Sequence, residues 1–179
     1  MQRRCNFLKA KLAHFFVRPV SSILISSFCW ILGLLLGFFF TAHAGDSYLL
    51  LMRRAAFSQV SISGLAAAVL LPFLFAAFAA SVSAPRLICA VCFGKAFFTA
   101  SCASGILAAY GDAGWLVRSL LQFSDIVSLP LLCWFSMRHV AANRQGIRRD
   151  LMICLIPSVI AVMIDFVVVS PFLAMLIEN

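Results

Sequence analysis

From Ala55 to Pro85 the chain carries no Asp, Glu, Lys or Arg, and the same holds from Val20 to Ala44. A helix needs about 20 predominantly apolar residues to cross the hydrocarbon core of a bilayer. No water there can satisfy backbone N–H and C=O groups, so such runs must satisfy them internally, as helices. The rest of the chain offers no soluble alternative, since 64% of its 179 residues are hydrophobic and only 11% are charged. That balance cannot supply the polar surface of a soluble domain. The sequence therefore predicts an all-α integral membrane bundle, a single transmembrane domain of about five helices.

The predicted spans are 20–44, 60–84, 87–110, 116–137 and 151–177. Ser83-Ala84-Pro85-Arg86 ends the second, because proline disfavours helix in the residue before it and the arginine seeks a headgroup. Gly111-Asp112-Ala113-Gly114 reads as a tight turn, with Tyr110 and Trp115 beside it as interfacial aromatics. The basic loop RHVAANRQGIRR separates the last two spans.

Short loops rich in Lys and Arg stay cytoplasmic. Arg3, Arg4, Lys9, Lys11, Arg18, Arg86, Arg138, Arg144, Arg148 and Arg149 fall on one side of this layout, and Arg53, Arg54 and Arg118 on the other. The expected topology is a cytoplasmic amino terminus and an external carboxyl terminus, in a bacterial inner membrane. The net charge of +8 follows from this asymmetry. A nucleic-acid surface would gather basic residues on one folded face between aromatics, and these only flank hydrophobic runs.

Several motifs carry less than they first suggest. Thr41-Ala42-His43-Ala44-Gly45 has the small-x-small spacing of a signal-peptidase site, but the run before it is longer than the usual 7–15-residue core of a leader. We expect the first span to be retained, and Arg3-Arg4 to be topogenic rather than an export signal. Cys89-Ala90-Val91-Cys92 is formally a CxxC, yet it lies within a span with no second pair, and buried cysteine is ordinarily a small hydrophobe. His14, His43 and His139 sit near different interfaces. No catalytic or phosphate-binding motif is present, so neither an enzyme, a cofactor nor a metal is expected.

Small residues spaced by four place close-approach points on one helix face. Gly33 and Gly37, Ala76 and Ala80, and Ser101 and Gly105 have that spacing, suited to packing within the bundle or against a partner's helix. The sharper candidates are the charges inside spans, Lys95, Asp125 and Asp165. Near the bilayer centre each costs ~2.5–3.5 kcal/mol on insertion scales unless it finds a partner. Lys95 can pair with Asp125 across a span three–four hairpin, or alternatively with Asp165. It can also snorkel to the inner headgroups. Pro130 should free the carbonyl of Ile126 and kink or break span four beside Asp125.

The stretch FGKAFFTASCASGILAAYGDAGWLVRSLLQFSDIVSLP, Phe93 to Pro130, resembles the central hairpin of the stage II sporulation protein M family of integral membrane proteins. Lys95 matches the family's lysine, Gly111 and Gly114 its Gly-x-x-Gly turn, and Ser124-Asp125 with Pro130 its helix break. Ala96 stands where the family usually has glycine, and Asp125 where it has a polar amide. The resemblance implies a non-enzymatic membrane anchor that recruits cell-wall-remodelling partners, peptidoglycan hydrolases among them, during sporulation engulfment. A vitamin-binding membrane subunit of an energy-coupling transporter has similar size and charge and is the alternative. The bilayer itself and a second copy of the chain are further expected partners.

Overall fold

The structure, a computed structural model, describes residues 23–57, 62–111, 123–140, 146–169 and 171–172. No strand occurs among them. The helices are α1 (Ile23–Ala42), α2 (Asp46–Phe57), α3 (Ile62–Ser81), α4 (Pro85–Tyr110), α5 (Phe123–His139) and α6 (Ile147–Ile164). A wider π-turn, Asp165–Val169, continues α6.

Among the described residues four helices are long and apolar enough to cross a membrane: α1, α3, α4 and α6 with its π-turn. The 17 residues of α5 are the described part of the fourth predicted span. Residues 116–122, which would begin that span, lie outside the described residues, as do Gly114, Cys5 and His14.

The distribution of side chains is that of a lipid-solvated bundle. Large apolar groups point outward: Leu24, Phe28 and Phe39 on α1, Phe75 and Phe78 on α3, Ile156 and Ile160 on α6. The interior holds small residues, including Ala76, Ala79, Ala100, Ala103, Ser128, Ser136 and Ser158. Lipid is as apolar as leucine, so helices associate here through close packing and interhelical hydrogen bonds rather than by hiding apolar surface. One cluster of buried groups has Phe73 and Ala76 of α3 meeting Leu132 and Phe135 of α5 and Cys154 of α6.

The α3–α4 connection is built by its sequence. Ser83 adopts a left-handed φ of 55°, Ala84 N–H bonds Ala79 O at 2.8 Å and Ser83 N–H bonds Ala80 O at 3.2 Å. This is the Schellman closure of a helix end, usually made by glycine. Pro85 then opens α4 at a position where its missing N–H costs nothing.

Three features depart from the sequence expectations. First, α2 occupies a segment read as a loop; Asp46 in its first turn complements the helix dipole, and Tyr48 OH donates to Ser101 O at 3.0 Å. Second, α6 begins at Ile147, not Leu151, so Arg148, Arg149 and Asp150 belong to its first turn. Third, α5 runs unbroken through Pro130. The proline removes one hydrogen bond there without ending the helix, as Pro72 and Pro157 do in α3 and α6.

Candidate functional site

The glycines of α1 set the first contact. A Cβ on Gly33 would fall 2.6 Å from Phe93 O and 3.0 Å from Ala96 Cβ, and one on Gly37 would fall 2.5 Å from Phe97 O and 2.8 Å from Ala100 Cβ. The sequence order on both sides makes α1 and α4 parallel. Polar bonds extend the seam, with Ser101 Oγ donating to Gly37 O at 3.3 Å and Thr41 Oγ1 to Ser101 O at 3.1 Å. Gly105 one turn on receives Tyr48 and Met52 of α2. The GxxxG of α1 is thus used within the chain.

On the far face of α4 lie the intramembrane charges. Lys95 Nζ is 2.5 Å from Asp125 Oδ1. Thr99, one turn above Lys95 on α4, donates through Oγ1 to Asp125 Oδ2 at 3.2 Å. Both carboxylate oxygens therefore have a donor. Lys95 has a second acceptor, the carbonyl of Ala68 in α3, at 3.2 Å. That carbonyl is available because Pro72, four residues on, has no N–H to offer it. The lysine and aspartate side chains are only 9% and 19% exposed.

Asp165 is not the lysine's partner. It is buried, and its Oδ2 accepts the backbone N–H of Ser124 at 2.9 Å. Adjacent residues of α5 therefore engage two helices, Asp125 reaching α4 and Ser124 reaching α6. A cleft of about 540 Å³ opens beside the ion pair, lined by Leu71, Pro72 and Phe75 of α3, Phe98 of α4, and Lys95 and Asp125 themselves. Gly94 borders this space, with nothing within 4 Å of a Cβ placed on it.

Gly111 closes α4 at a positive φ of 58°, and its N–H bonds Leu107 O. Cys89 and Cys92 are buried thiols, and the other described cysteines are free as well. Among the described residues no three His, Cys, Asp or Glu side chains converge as metal ligands would. His43, in the turn after α1, bonds Phe39 O at 2.9 Å.

Sequence reasoning missed two elements of these networks. Ala68 has no reactive side chain, and the signal that could have found it is Pro72, by the rule applied only to Pro130. His139 and Asp150 escaped because the loop between them was read for its Lys and Arg alone. His139 Nε2 lies 3.2 Å from Asp150 Oδ2, and both side chains are fully buried.

These features define a multi-pass helical membrane protein whose described intramembrane charges are engaged between helices. No protein-family model, curated protein or solved structure matches the chain.

Proposed function

We propose that the chain is a non-enzymatic membrane scaffold, an anchor for proteins that remodel the cell wall, of the kind its resemblance to the stage II sporulation protein M family implies. In this reading it crosses a bacterial inner membrane five times, with its amino terminus cytoplasmic and its carboxyl terminus external. One observation carries the scaffold reading: Lys95, Asp125 and Asp165 are each engaged by another helix. Charges employed in this way fix the arrangement of α3, α4, α5 and α6. A fixed frame suits a protein that positions others.

The cleft beside Lys95 favours a second reading, a membrane subunit of a small-molecule transporter. Both are tested by one purification of the full chain in mild detergent from its native membrane. The scaffold reading expects peptidoglycan hydrolases among the co-purifying proteins. A cytoplasmic ATPase co-purifying instead, together with a small molecule released on denaturation, would replace it with the transporter.

A further inference from the structure

One end of the bundle carries charge that the intramembrane pairs do not use. Val140 and Ile147 pack against Ala79, Ala80, Ile88 and Cys89, which brings the α3–α4 turn beside the end of α5 and the start of α6. Arg86, Arg138, Arg148 and Arg149 all lie at this end, and all four are exposed.

Beneath them sits the buried carboxylate of Asp150. Arg138 Nε reaches its Oδ2 at 2.8 Å, and Arg149 Nε stands 3.6 Å from its Oδ1. Both guanidinium groups turn their inner nitrogen to Asp150, while 42% of the Arg138 side chain and 71% of the Arg149 side chain remain exposed. One carboxylate cannot neutralise four arginines. A guanidinium with its terminal nitrogens available is suited to a phosphate, which it can bind through two parallel hydrogen bonds.

The height of this end in the membrane follows from its neighbours. Trp134, one turn before Arg138, is exposed, and its ring lies 5.3 Å from Arg138 Cζ. Tryptophan concentrates at the level of the headgroups. One and two turns beyond Arg149 on α6, Ile153 and Ile156 are exposed and apolar, a surface for acyl chains.

We infer that this basic end is a docking surface for the headgroups of anionic phospholipids, with Asp150 as the positioning residue that holds Arg138 toward the phosphate. A lipid is favoured over a free phosphate because the apolar surface continues directly from the arginines. The inference is independent of the scaffold reading.

The test uses the full chain in detergent, with phosphatidylglycerol, phosphatidylcholine or inorganic phosphate added, read by native mass spectrometry and by thermal unfolding. Phosphatidylglycerol should be retained and should raise the melting temperature; the other two should do neither. A basic residue near an anionic membrane surface contributes about a fivefold gain in association, so Arg148→Gln with Arg149→Gln should lower phosphatidylglycerol affinity about 25-fold. Arg138 and His139 keep their contacts with Asp150 in this variant, so the melting temperature in phosphatidylcholine should change little. Asp150→Asn, where it folds, should lower the affinity although both arginines remain. Equal retention of phosphatidylglycerol by the double variant would overturn the proposal. So would an equal shift with inorganic phosphate, or equal retention of phosphatidylcholine.

Discussion

An ammonium group has three protons to donate, and for Lys95 the structure accounts for two, one to Asp125 and one to the carbonyl of Ala68. Removing one member of a buried ion pair leaves the other uncompensated, which typically costs ~3–5 kcal/mol, whereas removing both can be nearly neutral. Lys95→Met and Asp125→Leu should each reduce the folded yield in detergent, and the double variant should recover much of it. Asp165→Leu should give no such rescue, because Asp165 is bonded to Ser124. Size-exclusion profiles of the four variants check this; independent effects of Lys95 and Asp125 would refute the coupling. The lysine and both aspartates stand out in the sequence because a charge in an apolar run needs a partner. Ala68 does not, because what it contributes is a backbone group, made available by a residue one turn away.

Among the described glycines, those of α1 have the narrowest clearance, against α4. An added methyl at Gly37 meets a carbonyl oxygen at 2.5 Å, whereas one at Gly94 meets nothing within 4 Å. Overpacking of this kind costs typically 1–3 kcal/mol, and an alanine in place of an unconstrained helical glycine is favourable by ~0.5–1 kcal/mol. Gly37→Ala should therefore lower the melting temperature in detergent while Gly94→Ala leaves it equal or higher. The reverse order would mean that α1 does not seat against α4 through its glycines. The four-residue spacing made this face legible in the sequence, but not which helix it meets, because parallel contacts between helices distant in sequence leave no local pattern. The 12-residue α2 was illegible for a different reason. It is too short to cross and includes Arg53 and Arg54, and its hold on α4 is tertiary, through Tyr48 and Met52.

For the molecule as a whole, the large apolar groups face outward and the small ones inward; composition anticipated a membrane bundle but not this sorting by size. The sequence could not place the described helices side by side, since lipid-facing and bundle-facing positions are both apolar and only residue size separates them. The proposed five-crossing topology rests on the ten-to-three division of Lys and Arg. A reporter fused after Asn179 should read as external, and one inserted near Gln145 as cytoplasmic. Cytoplasmic signal from both would require an even number of crossings and remove that topology.

The hydrogen bond from Lys95 to Ala68 also bears on the order in which the chain is made. Ala68 precedes the lysine by 27 residues and Asp125 follows it by 30. At ~5–20 residues per second of synthesis, the lysine exists for seconds before its counter-ion does. During that interval the nascent α3–α4 hairpin already contains an acceptor, because Pro72 released it in advance. The Ala68 carbonyl freed by Pro72 thus receives the cation before its counter-ion has been translated, and keeps it afterwards. Pro72→Ala should accordingly reduce membrane insertion of α4 in chains ended at Tyr110, scored by glycosylation of engineered acceptor sites, and should matter less in the full-length chain. Equal insertion of the truncated chains with and without Pro72 would leave the lysine to wait unaided.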